Sequence, residues 1–176
     1  MNLKKVFAKL QAEGINQAEC RYASSSSLSI EVFRGEMSNF TTHTNSLLNL
    51  DAIVDNKLVM VNTENVSNKG IDQLIHSIKE TAPYIEKAEG EIFKGAAKYK
   101  KFNNYNKELP TIPVETKKQL VFEIEKKLKA YDSRFAEIQV AYEESEHYTE
   151  YQNTNGVRLR NKNNSYYIGA YVVIKD

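Results

Sequence analysis

Leu3, Val6, Phe7 and Leu10 recur at i, i+3, i+4 and i+7, the spacing of one helix face, with Asn2 placed to cap the helix and Gly14 to stop it. Ile71, Leu74, Ile75 and Ile78 repeat the spacing, and Pro83 ends it because proline cannot donate the next helical hydrogen bond. A third stripe, Leu120, Val121, Ile124 and Leu128, follows Thr116 and Gln119, which stand at capping-box spacing. Between these helices the period changes to two. Leu28, Ile30 and Val32 alternate with polar or opposite-facing neighbours. So do Leu48 to Val54, Ile138 to Tyr142 and Ile168 to Ile174, and Leu58 to Thr63 reads as a further strand. Strands with two distinct faces belong to antiparallel sheets. Turns are expected at Arg34-Gly35, Asp55-Asn56, Asn155-Gly156 and Asn163-Asn164, residues that tolerate positive φ. The fold class expected is α+β: mainly antiparallel sheets with packed helices.

The pattern repeats at an offset of 118 residues. Ala18 to Ala23 aligns with Ala136 to Ala141, Val6 and Leu10 with Ile124 and Leu128, and Leu48 to Val54 with Tyr166 to Val172. Two similar units follow, each a helix and a strand meander. The expected division is an N-terminal α+β unit over 1–90, a linker or long loop over 91–113, rich in Lys, Asn and Tyr and ending in Pro110 and Pro113, and a second α+β unit over 114–176. The first unit goes on into a strand and the helix from Ile71, whereas the second stops before either. The second unit therefore reads as incomplete, and the 176 residues as the front of a longer polypeptide.

Composition narrows the classes. A chain of 176 residues, 41% hydrophobic and 27% charged, can bury a core, and a net charge of +1 calls for neither nucleic acid nor an anionic membrane. The longest apolar run, Leu58 to Met60 with Val61, is too short to span a bilayer. The single cysteine, Cys20, excludes an internal disulfide and fits a reducing, cytoplasmic setting.

No catalytic, cofactor-binding or metal-binding residue is assigned. Zinc needs three or four converging ligands. His76 and Glu80 share a helix face without a third ligand and read as an exposed pair. In the run Glu143 to Glu150, Glu144, Glu146 and Glu150 face one way and His147 the other, which reads as a solvated strand end. Cys20 reads as a buried structural thiol, and Ser24 to Ser27 as a loop or strand edge. Lys98 to Tyr105 interleaves cations and aromatics, as single-strand nucleic-acid binders do, but one short basic patch is a weak footprint. Thr41, Thr42, Thr44, Asn45 and Asn49 lie on strand faces, where an extended peptide could add as a further strand; a solvated sheet face is the plainer reading.

The helix ending at Gly14, Ala18-Glu19 opening a strand, Leu28 to Glu36 with its Arg34-Gly35-Glu36 turn, and the Asn153-Thr154-Asn155-Gly156 hairpin before Ser165-Tyr166-Tyr167 together resemble the N-terminal region of the TldD/PmbA family, also called modulator of DNA gyrase. Ser46 and Asn56-Lys57 stand where that family often has glycine. The resemblance implies zinc metallopeptidase relatives whose His-Glu-x-x-x-His motif lies beyond this region, and this chain has no match to it. It further implies scaffold, homo- or hetero-dimer contacts within the family, and a wall guiding unfolded peptide to proteolysis, with no cofactor in this chain and zinc only in the parent. A free-standing peptide- or protein-binding module without enzymatic activity is the alternative.

Overall fold

The computed structural model describes residues 1–86, 90–96 and 98–175. Helix α1 (Leu3–Ala12) forms where its stripe falls: the Asn2 side chain accepts from the Lys4 N–H at 3.1 Å, and Leu3, Val6 and Leu10 are buried. Gly14, at φ +79°, turns the chain away from the helix end. Helix α2 (Asn68–Thr81) is capped by Ser67, whose Oγ accepts from the Gly70 N–H at 3.2 Å. Gly70 has to be glycine, since a Cβ there would lie 2.0 Å from the Asn65 carbonyl oxygen. Pro83 then closes α2 in a single 3-10 turn, Ala82–Tyr84.

Helix α3 (Val114–Tyr131) departs from the expectation. It begins directly after Pro113 without a side-chain cap, which puts Thr116 and Gln119 inside the first turns, so the capping box does not form. Its buried face also differs. Leu120 is 39% exposed, while Lys117, Val121 and Glu125 are buried.

Five strands, β1 (Gln17–Phe33), β2 (Glu36–Val54), β3 (Lys57–Thr63), β4 (Phe135–Asn153) and β5 (Arg158–Ile174), make one antiparallel sheet in the order β3-β2-β1-β4-β5. The α+β expectation holds. Helix and long hairpin occur twice, as α1-β1-β2 and α3-β4-β5. The strands are far longer than their apolar alternation suggests: β2 and β4 have 19 residues each, against a usual length of about five or six. The turns at Arg34-Gly35, Asp55-Asn56 and Asn155-Gly156 lie between strands, but Asn163-Asn164 does not turn. Both residues sit inside β5, where Asn163 bridges Asn104 and the Asn164 side chain both accepts from the Asn106 N–H and donates to its carbonyl, each at 2.8 Å. The amides that suggested a turn instead hold an irregular segment against the strand.

By contact the chain divides into two compact units that are not consecutive in sequence. Unit 1 comprises 1–24, 45–102 and 148–161. Its core is apolar: Leu3, Val6 and Leu10 of α1 and Ile71, Leu74, Ile75 and Ile78 of α2 close over Cys20, Leu48, Leu50 and Val59. Here the irregular segment is pinned, since Ile92 is 5% exposed and the Asn155 amide donates to its carbonyl at 3.0 Å. Unit 2 comprises 25–44, 103–147 and 162–176. Its core gathers Leu28, Ile30, Val32, Val121, Ile138, Val140 and Tyr142. Lys117, on α3, pairs with Glu144, which also accepts from the Tyr142 hydroxyl at 2.5 Å. Glu125 receives the Gly35 N–H on both carboxylate oxygens at 3.0 Å, which locks the β1–β2 turn.

Candidate functional site

Strand β3 pairs with β2 only from Leu48 to Val54. On that side of β2, residues 36–47 have no strand partner among the described residues. Every second residue of such an edge points a free N–H and C=O outward. Glu36, Met37, Ser38 and 40–45 are exposed, so both faces of this stretch are accessible. The side chains bond along and across the strand. The Asn39 amide donates to Ser29 Oγ at 3.2 Å, and Thr41 donates to Asn39 Oδ1 at 2.8 Å. Lys118 stands over the Phe40 ring, 4.6 Å from its centroid. Edges are ordinarily protected by lysine, proline, a short length or a covering element. The stretch 36–47 contains neither lysine nor proline. It is an extended template for an added strand, with a single carboxylate, Glu36, at its start.

The other residues singled out in the sequence fall as follows. Cys20 is fully buried in unit 1, and burial pushes its thiol far up, so it is an inert core residue. Ser24 to Ser27 form part of β1 rather than a loop. His76 and Glu80 make an exposed pair at 3.1 Å. His43 and His147 are exposed. Among the described residues no group of three or more His, Cys, Asp or Glu side chains could hold a metal.

The reading of Glu143 to Glu150 as solvated needs correcting. Glu144 and Glu150 point inward and are paired. Glu150, 6% exposed, accepts from the Tyr148 hydroxyl at 2.8 Å and pairs with Arg160 at 2.8 Å. Burial is the main reason that both tyrosine hydroxyls, Tyr142 and Tyr148, are pushed above their ordinary value, with the adjoining carboxylates adding to it. The available signal was the spacing: Tyr142 and Glu144, and Tyr148 and Glu150, stand two apart and share a strand face. In the Lys98 to Tyr105 run, Tyr105 is engaged within unit 2, donating to Glu146 at 2.7 Å and accepting from Lys162 at 2.9 Å.

Comparison with known proteins gives two family matches. Residues 18–82 match PmbA/TldA metallopeptidase domain 1, and residues 107–176 match the PmbA/TldA metallopeptidase central domain. Solved structures share the fold. A Thermotoga maritima protein described as a candidate modulator of a DNA gyrase is 16% identical, with a TM-score of 0.82 over 98% of this chain and 39% of that one. A Bacteroides thetaiotaomicron protein of the same description is 17% identical, with a TM-score of 0.80 over 98% and 40%. TldE from Thermococcus kodakarensis is 17% identical, with a TM-score of 0.71 over 99% and 40%. This chain thus spans about two fifths of the length of each. No curated protein matches it.

Proposed function

We propose, since this chain belongs to the PmbA/TldA metallopeptidase family, that it is the non-catalytic N-terminal region of such a protein or of its partner subunit, where it guides unfolded peptide and supplies scaffold and dimer contacts. The observation that carries this reading is the bare edge of β2 over 36–47. An unfolded peptide carries the same backbone donors and acceptors whatever its sequence. Strand addition therefore suits a protein that must accept many peptides. From Thr41 to Ser46 the side chains beside the edge are Thr, Ser and Asn apart from His43, mostly small enough to let varied partners approach.

The described residues do not fit a zinc site, so no step of metal chemistry is assigned to this chain. The two family matches leave 83–106 between them, and the second begins inside 91–113; this supports two modules joined by a connecting segment, in the order 1–90, 91–113 and 114–176 that we propose for the parent. Dimer contacts would suit edge strand β5, where Tyr166, Tyr167 and Tyr171 are 59–69% exposed. Among the described residues no helix is long and apolar enough to cross a membrane, and a cytoplasmic setting is part of the same proposal.

Hydrogen–deuterium exchange of the 176-residue chain, with and without an excess of a permanently unfolded peptide, tests the reading. Protection gained over 36–47 and lost in the T42K/T44K variant is the expected result. An exchange pattern over 36–47 that peptide leaves unchanged would overturn it.

A further inference from the structure

Within unit 1 a groove of about 870 Å³ runs between the irregular segment at 99–102 and the strands β4 and β5. Arg21, Lys100, Lys101 and Arg158 line it, all exposed. Among the described residues, none of the four has a carboxylate within ion-pairing distance. The groove's own carboxylate, Glu150, is neutralised by Arg160. The chain as a whole carries only +1, so these four cations around one groove, even with Arg21 opposed at longer range by Asp51, are a local concentration of charge.

We infer that this groove binds an acidic segment of polypeptide, with the two arginines taking carboxylates in paired hydrogen bonds. Guanidinium and carboxylate match in a planar, two-pronged geometry, and the lysines add charge without fixing direction. The aromatic side chains favour peptide over single-stranded nucleic acid. A stacking platform needs several free ring faces. Tyr99 is tied by its hydroxyl to the Ala96 N–H at 2.8 Å. Tyr151 is tied to Glu19 at 2.7 Å and packed edge-on against Phe93. Phe102, 72% exposed, offers the most open face, which suits one apolar side chain in an acidic peptide. The inference goes beyond the strand-addition reading and does not rest on it, since the groove and the edge share no residue.

Fluorescence anisotropy on the full chain tests it with four labelled probes: an Asp/Glu-rich octapeptide containing one leucine, its Ser/Gly counterpart, its Lys-rich counterpart, and an oligo(dT) of similar length. The acidic peptide is expected to bind about tenfold more tightly than the neutral one, and less so as salt rises from about 50 to about 200 mM. R21Q/K100Q/K101Q/R158Q should remove the difference. K101E/R158E should reverse it toward a lysine-rich peptide, a gain that a misfolded chain cannot produce. T42K/T44K should leave it intact. Tighter binding of oligo(dT) than of the acidic peptide, equal binding of acidic and neutral peptides, or no reversal in K101E/R158E would each overturn the assignment.

Discussion

Unit 1 and unit 2 each pack helix against strand and close their cores differently. In unit 1 two helices, α1 and α2, cover the strands with aliphatic side chains, and the buried side of each helix is free of charge. Unit 2 has α3 alone, and α3 buries Lys117 and Glu125 beside Val121. A single helix leaves sheet surface uncovered, and long amphipathic side chains can cover it with their apolar stems. Their charged ends must then find partners, and they do, at Glu144 and at the Gly35 N–H. Under one helix the apolar core is thus completed by an ion pair and a buried carboxylate, which the unit covered by two helices does without.

The comparison is broken most sharply at the ionic core. K117M leaves the Glu144 carboxylate without its cation and should lower the unfolding free energy by about 3–5 kcal/mol, read by urea denaturation. K117M/E144L should regain most of that loss. A double variant no more stable than the single one would show that the pair does not set unit 2's stability. In unit 1 the matching lesion is I78A, at a residue fully buried against apolar neighbours. It should cost about 2–5 kcal/mol through lost burial and a cavity, with no second change able to rescue it electrostatically. E125A strands the Gly35 N–H and should cost about 1–3 kcal/mol, with faster amide exchange at the Arg34-Gly35 turn.

Acidity separates the units by sign. In unit 2, burial pushes Glu146 up, but the Tyr105 hydroxyl and the Lys162 ammonium outweigh it and hold the carboxyl below its ordinary value. Its contribution is therefore present above the unfolded-state value of about 4.3 and is lost as pH falls through the lower folded value. E146Q should flatten that acid limb. In unit 1, burial and then Glu19 push Asp51 up, against a smaller opposing effect of Arg21. Its ionised form is disfavoured in the fold, so the destabilisation it causes at neutral pH is relieved as pH falls through the raised folded value. D51N should raise the melting midpoint at neutral pH, the smallest of these effects. A lowered midpoint would mean that the Asp51 charge is needed where it stands.

The parts of this contrast that could be read from sequence are those governed by apolar period. Leu3, Val6 and Leu10, Ile71 to Ile78, and the alternation at Leu48 to Val54 each announce their face, and each is buried as expected. The outer portions of the strands could not be read so. Asn39 to Asn45 and Asn161 to Ser165 have no apolar member every second residue, because no helix needs one there. Neighbouring strands keep them extended, and at Asn163-Asn164 the irregular segment at Asn104 and Asn106 helps. The buried carboxylates were hidden for a related reason. Glu144 and Glu150 look like surface residues until Lys117, twenty-seven positions from Glu144, and Arg160 are brought to them by the fold. The bare edge of β2 depends on where β3 stops, at Thr63, and polar composition alone does not mark that point.

Asn155 has a consequence for the lifetime of the molecule. Its amide donates to the carbonyls of Ile92 and Phe93, at 3.0 and 3.1 Å, and the next residue is Gly156. An asparagine followed by glycine is the pairing most prone to spontaneous loss of its side-chain nitrogen, because little hinders attack by the following backbone nitrogen. Aspartate at 155 would set a carboxylate against the two carbonyls that had been receiving a donor. Old copies of the protein would then hold the segment at 92–93 less firmly than new ones, so chemical age would be written into the fastening of one loop.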